Sequence, residues 1–368
     1  MASIAPFIGA IFMAKPNLKS ETIKVQSLPS GDTLNIRVFK FVGSGKNKVY
    51  VQANIHGPEL TGVLVAKKLV EYVKSNGGNF SELIVVPSCN PMGLNSQFIG
   101  QQIGYVNQLT GKNWNRIYPD LSVGINQKKI TLSKFKKELK ANLKAKLSQA
   151  VDLETKLGLT LLNLSFNADI VLDLHTVWGK APHYVYCYPE YLGQAKKFGI
   201  KNIFLLSENE FFGVFDEANL YPYLKFKSWI KDFRLPKQVY TVEFGSDCSL
   251  DEENIEKSWQ ELKCFLQVQA VLWGKTKLTS INYDICLNKN YVYYYAAAGG
   301  LLIWKKKPGE YISSGEVIGE IHSLDLSLPT KVIAKHHGKL MIQFNAVAVH
   351  QGQQTCKVMT EIKKEKHG

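Results

Sequence analysis

Between Glu21 and Phe41 polar and apolar residues alternate on either side of Pro29-Ser30-Gly31-Asp32, the pattern of a β-hairpin turned by glycine and aspartate. Six short, nearly continuous apolar runs follow: Val49–Ile55, Leu83–Val86, Ile170–Leu174, Tyr184–Tyr188, Ile203–Leu206 and Val239–Phe244. Such runs suit strands buried on both faces of a sheet. Helical spacing lies between them. Glu59 to Lys74 repeats Leu60, Val63, Leu64 and Leu69, and Thr131 to Leu164 repeats Phe135, Leu139, Leu143 and Leu147, which predicts one long helix with a lysine-rich outer face. Asp251 to Trp273 reads as another helix, entered through Ser249 and acidic residues. Alternating strands and helices predict an α/β fold with a mixed, largely parallel sheet flanked by helices.

Near residue 285 the helical period disappears. Short strand-like pieces are then punctuated by Gly299-Gly300, Pro308-Gly309, Ser314-Gly315, Gly319, Gly338 and Gly352. This predicts a division into residues 1–285 and a small all-β unit over residues 286–368, a barrel or a sandwich. The apolar stretch Ile4–Met13 has no positive region before it and is too short to span a bilayer, so it is expected to be an opening strand or packed arm rather than a signal or anchor.

Charge and cysteine usage narrow the function classes. The net charge is +14, yet only three of the 45 basic residues are arginines (Arg37, Arg116 and Arg234), and many lysines crowd between Lys128 and Lys146. Readers of nucleic acid lean on arginine forks, so the excess charge points to attraction of small anionic substrates rather than to nucleic acid. Cys89, Cys187, Cys248, Cys264, Cys286 and Cys356 form no CxxC pair, which fits reduced thiols in a cytoplasmic protein with no membrane partner. A homo-oligomer is left open.

Two motifs carry metal chemistry. Asn54-Ile55-His56-Gly57-Pro58-Glu59 follows a predicted strand and opens a helix, which puts His56 and Glu59 at the carboxyl edge of the sheet, where such folds place their sites. Asp173-Leu174-His175-Thr176 ends another strand, and Asp173 and His175, two apart, point to one face. Singly, each has a plainer reading: a chance His-x-x-Glu, or a capping Asp beside a core histidine. Together they make the two-His, one-carboxylate set of catalytic zinc, one ion per chain, with a position left for water and Asp173 to orient His175. Glu243, a lone acid ending the apolar run Val239–Phe244, is the candidate general base.

The substrate side lies between those motifs. Asn90-Pro91-Met92-Gly93 is a turn by composition. Arg116, embedded in Gly111-Lys112-Asn113-Trp114-Asn115-Arg116-Ile117-Tyr118-Pro119, has a planar fork that suits a carboxylate, with Asn115 beside it as a second contact.

In this order the motifs resemble the succinylglutamate desuccinylase/aspartoacylase family, relatives of the zinc carboxypeptidases. The resemblance rests on His56-Gly57-Pro58-Glu59, Asn90-Pro91, Asn115-Arg116-Ile117-Tyr118-Pro119, Asp173-Leu174-His175 and Val242-Glu243-Phe244-Gly245, and covers roughly residues 20 to 275. It implies a carboxypeptidase-like fold, His56, Glu59 and His175 as zinc ligands, Glu243 as base, and Asn115 with Arg116 as binders of a substrate carboxylate. The C-terminal unit resembles the barrel-sandwich hybrid that many members carry. The chain departs from the family in two places: Leu94 to Gln102 holds no arginine, and Asn113-Trp114 replaces the usual acid and leucine before Asn-Arg. Both departures suggest a substrate with less anionic charge near the scissile bond. The leading expectation is a zinc amidohydrolase or carboxypeptidase-like enzyme acting on a small carboxylate-bearing substrate; the alternative is a catalytically silent binding protein that keeps the fold.

Overall fold

The computed structural model describes residues 17–126, 130–230, 233–247, 250–276, 280–325 and 327–366. The apolar stretch Ile4–Met13, Cys248 and the expected helix entry at Ser249 lie outside them. All six apolar runs become strands of one mixed sheet. Its order is Asn17–Ser27, Thr33–Val42, Phe80–Val86, Asn47–Ala53, Ile170–Val177, Gln238–Ser246, Tyr184–Cys187, Asn202–Leu205, Asn282–Leu287 and Lys363–Lys366. Phe80–Val86, Asn47–Ala53, Ile170–Val177 and Gln238–Ser246 run parallel to one another, and Tyr184–Cys187 runs against the last of them. Every residue of Ile170–Val177 is buried, which explains why its sequence is a run rather than an alternation. The helix Thr61–Asn76 packs with Glu252–Val268, and Leu153–Ser165 with Phe215–Lys227.

The helices differ from expectation in three ways. The long period over Thr131–Leu164 divides into Leu132–Gln149 and Leu153–Ser165, because Asp152 accepts the Thr155 N–H at 2.8 Å and starts a second helix. The helix expected to reach Trp273 stops at Val268, just before Ala270 takes a positive φ of 55°. Phe215–Lys227 has no clear period in the sequence: aromatic residues surround it and Pro222 lies within it.

After Asn282–Leu287 the chain forms two four-stranded antiparallel sheets, one ordered Tyr291–Tyr295, Gln354–Met359, Gly338–Gln343 and Tyr311–Ile312, the other Thr330–Ile333, Val317–His322, Gly300–Trp304 and Ala348–Val349. The strand Lys363–Lys366 then returns to the large sheet beside Asn282–Leu287. Two further contacts tie these small sheets to the large one. The backbones of Lys180 and Gln343 exchange hydrogen bonds of 2.8 and 3.0 Å, and the buried Lys339 ammonium reaches Asn202 at 2.6 Å and Asp284 at 2.9 Å.

The loop after Asn47–Ala53 is shaped by amides and glycines. Asn54 sits at φ 66°, a region asparagine tolerates, and its side-chain N–H groups reach the carbonyls of His56 and Gly57, both at 2.9 Å. Asn90 caps the turn Pro91–Asn95 and donates to the Ile55 carbonyl at 2.7 Å. Gly57 and Gly104 both press against Gly93, where a Cβ on either would lie 2.0 Å from the Gly93 carbonyl oxygen. Gly57→Ala must therefore displace backbone, and we expect it to cost about 1–3 kcal/mol, as overpacked cores do. A urea midpoint equal to that of the wild type would show that the loop yields freely.

Candidate metal centre

His56 follows the strand Asn47–Ala53, Glu59 precedes the helix Thr61–Asn76, and His175 lies near the carboxyl end of the strand Ile170–Val177, so three parts of the chain deliver the three side chains to one sheet edge. The two oxygens of Glu59 divide between the histidines: Oε1 lies 2.8 Å from His56 Nδ1, and Oε2 lies 2.8 Å from His175 Nδ1. One ligand atom from each residue falls within 4.8 Å of the others, the only such His/Cys/Asp/Glu cluster among the described residues. The outer nitrogens face acceptors. His56 Nε2 lies 3.1 Å from Asn113 Oδ1, and His175 Nε2 lies 2.9 Å from Asp173 Oδ2. Glu59, an ionised acceptor, takes Nδ1–H from both rings in this arrangement; an ion bound there would replace those protons, and donation from Nε2 to the outer oxygens would then leave both Nδ1 lone pairs to the metal. Two imidazoles and a carboxylate suit a divalent ion with an open coordination position, so the residues fit a catalytic zinc.

Electrostatics follow from burial. Glu59 is 3% exposed; burial pushes its carboxyl up, but His56 and His175 outweigh that and hold it at about 2. Burial works against protonation of His175, yet Asp173 and Glu59 raise its pKa well above the ordinary histidine range. Asp173 is in turn fixed by Gln52 Nε2 at 3.0 Å, whose Oε1 accepts from the Tyr50 hydroxyl at 2.9 Å.

Glu243 lies directly opposite His175 in the parallel register, so both side chains leave the sheet on the same side. Its Oε2 is buried without a hydrogen-bond partner. Burial, reinforced by Glu59 and Asp173, pushes its carboxyl up to about 8 against the pull of His175.

A cavity of about 580 Å³ opens beside these groups and is lined by His56, Glu59, His175, Glu243, Asn115 and Arg116, with Asp173 standing behind His175. The turn Trp114–Arg116 positions the last two: Asn115 Oδ1 accepts the Phe215 N–H at 3.1 Å, and Arg116 Nη1 donates to the Asn115 carbonyl at 2.6 Å. Asn113, whose identity suggested a change on the substrate side, faces His56 instead, while Trp114 is fully buried in the core.

Sequence reasoning missed several lining residues. Asp216 and Glu217 enter from the start of Phe215–Lys227, where burial and the neighbouring Asp216 push Glu217 up to about 7. Lys357 arrives from the small sheets with Tyr291 and Tyr293, its ammonium 4.1 and 4.3 Å from their ring centres. The acidic pair that opens a helix was a readable signal; Lys357, one lysine among many, gave none.

The succinylglutamate desuccinylase/aspartoacylase catalytic domain model matches residues 45–260. The chain belongs to this family. Two solved structures of family proteins cover nearly all of it. One from Shewanella amazonensis SB2B is 25% identical with a TM-score of 0.88, spanning 94% of this chain and 100% of its own. The other, from Shewanella frigidimarina NCIMB 400, is 26% identical with a TM-score of 0.87, spanning 96% and 99%. The ectoine utilization protein EutE (DoeB) from Ruegeria pomeroyi shares the fold at 16% identity and a TM-score of 0.68, over 95% of this chain and 97% of its own. No curated protein matches. The family is one of hydrolases that act on small carboxylate substrates, and among the described residues no helix is long and apolar enough to cross a membrane.

The raised carboxyl of Glu243 makes a stability prediction. A group whose pKa rises on folding keeps its proton in the native state after the unfolded chain has released it, so its contribution is lost as pH climbs from about 4.5 to about 8. In metal-free protein, Glu243→Gln should therefore gain stability relative to wild type between pH 5 and pH 8, read from urea midpoints. The same offset at both pH values would remove the argument for a raised pKa.

Proposed function

We propose that this protein is a zinc-dependent hydrolase that cleaves the amide bond of an N-acyl amino acid or peptide-like substrate bearing a carboxylate. The reading is carried by one juxtaposition: a buried carboxylate oxygen of Glu243 without a partner, in register with His175 and beside a two-His, one-carboxylate cluster. Membership of a deacylase family supports the same class of reaction.

His56, Glu59 and His175 would hold the ion through Nδ1, a carboxylate oxygen and Nδ1. Zinc bound there supplies Lewis acidity, polarising the amide carbonyl and acidifying water towards neutrality. Glu243 takes the proton from water and returns it to the leaving amine, a role that its buried carboxylate, without a hydrogen-bond partner of its own, leaves it free to perform. Arg116 anchors the substrate carboxylate. Because Asn115 Oδ1 is occupied by the Phe215 N–H, the Asn115 side chain offers its Nδ2 as the second donor. Tyr184, Tyr291 and Tyr293 line the cavity beside the reacting groups and supply apolar ring surface there. Cysteines scattered without a pairing pattern support a cytoplasmic enzyme.

Zinc-loaded protein assayed against a panel of N-acyl amino acids and dipeptides tests the reading. The purified protein should carry about one zinc per chain, as expected of a three-ligand catalytic site, and His56→Ala combined with His175→Ala should abolish it; full occupancy in the double variant would sink the ligand assignment. Glu243→Gln should retain zinc while kcat falls by about 10²–10⁴. Arg116→Ala should act mainly on KM, raising it by roughly 10–100-fold, the worth of hydrogen bonds to a charged group. Zinc occupancy with no hydrolysis across the panel would favour a silent binding protein instead.

A further inference from the structure

The cavity wall that bears Tyr291, Tyr293 and Lys357 belongs to the small sheets, so its place depends on how they seat against the large sheet. Two rows of directly opposed residues meet at that seat. In the large sheet the row runs His175, Glu243, Tyr184, Asn202 and Asp284. In the small sheet it runs Tyr311, Lys339, Met359 and Tyr291. Directly opposed residues share a face, so each row presents its side chains together.

One end of the seat is polar. Lys339 and Asp284 are 3% and 1% exposed. The Lys339 ammonium donates to Asp284 Oδ2 at 2.9 Å and to Asn202 Oδ1 at 2.6 Å, and the Tyr311 hydroxyl donates to Asp284 Oδ1 at 2.7 Å. The half-exposed Lys201 stands 3.8 Å from the same carboxylate. Asn202 cannot turn its oxygen away, because its Nδ2 donates to the His183 carbonyl at 2.8 Å. The other end is apolar. Tyr291 stacks on Phe204 with ring centres 4.3 Å apart and meets Tyr184 edge-on at 6.4 Å, and Met359 is buried in the same cluster. Ring and methyl contacts tolerate sliding, whereas an ammonium held by oxygens from two neighbouring strands does not. Lys339 itself does not line the cavity.

We propose that Lys339 is a positioning residue: its ion pair with Asp284 fixes the register in which the small sheet seats on the large one, and thereby holds Tyr291, Tyr293 and Lys357 at the substrate. The inference rests on the reading of the cavity as the hydrolytic site. Removing one partner of a buried pair strands the other charge, whereas replacing both with neutral groups of similar size often leaves stability intact. That difference separates positioning from stabilisation alone.

Full-length Lys339→Met and the double variant Lys339→Met/Asp284→Asn are compared with wild type by backbone hydrogen exchange, by melting temperature and, zinc-loaded, by kinetics. In the double variant the new amide can donate to Asn202 Oδ1, so no buried oxygen there is orphaned. In Lys339→Met, exchange over Tyr291–Tyr295 and Gln354–Met359 should quicken by about tenfold or more, with Ile170–Val177 unchanged. In the double variant the melting temperature should return to that of wild type. Its KM for the fastest substrate of the N-acyl amino acid and dipeptide panel should nevertheless stay raised by about tenfold, with kcat down by less than about threefold. Recovery of KM together with melting temperature would overturn the proposal, since the pair would then only stabilise. Wild-type exchange over Tyr291–Tyr295 in Lys339→Met would overturn it as well. Should Lys339→Met alone fail to fold, the double variant decides through the same KM comparison. Failure of the functional reading is distinguishable: the wild type would hydrolyse nothing on the panel, while the exchange comparison would still judge the seat.

Discussion

Everything in this site depends on one carboxylate being shared. Glu59 is almost fully buried and offers one oxygen to each of two imidazoles, one from the loop after Asn47–Ala53 and one from the strand Ile170–Val177. An uncompensated charge at that depth would be untenable, so the carboxylate and its two partners must assemble together or not at all. That requirement reaches outward. His175 needs Asp173, Asp173 needs Gln52, and Gln52 needs Tyr50, while His56 needs Asn113 and the loop braced by Asn54 and Asn90. The glycines beneath that loop are the steric side of the same demand: backbone must approach backbone closely enough to bring His56 within reach of Glu59.

The small antiparallel sheets complete what the large sheet begins. The large sheet delivers the metal cluster and Glu243 along its edge, but the wall bearing Tyr291, Tyr293 and Lys357 comes from beyond Asn282–Leu287. A half-buried ammonium set against two tyrosine faces restores positive charge to a cavity whose loop Leu94–Gln102 contributes no arginine. Positive charge in the cavity therefore does not rest on the loop Leu94–Gln102. It is supplied from another part of the chain.

Much of this was legible in the sequence because it was local. A run of apolar residues has to be buried, so the six runs marked strands, and the order of His56-Gly57-Pro58-Glu59, Asp173-Leu174-His175 and Glu243 marked the edge where they meet. What escaped was either a cap or a long-range contact. Asp152 divided a helix whose apolar spacing ran on unbroken past it, since period alone does not register a side chain satisfying backbone donors. Pro222 and a crowd of aromatics concealed Phe215–Lys227. Asn113 looked like a substrate residue because its neighbours in sequence are substrate residues, yet its side chain meets a histidine 57 positions away. No spacing rule conveys that.

The column from Tyr50 through Gln52 and Asp173 to His175 runs through the protein's interior, each member buried and each bonded to the next. Its members are constrained by hydrogen-bond direction as much as by volume: a donor must point into an acceptor at every link. Tyrosine and phenylalanine, interchangeable by shape at an ordinary core position, are not equivalent at the foot of this column. The loss of one hydroxyl there lets Gln52 turn and leaves Asp173 underbonded. Substitution tolerance in this strand should thus follow polarity rather than size, the foot of the column deciding how the imidazole at its head is held.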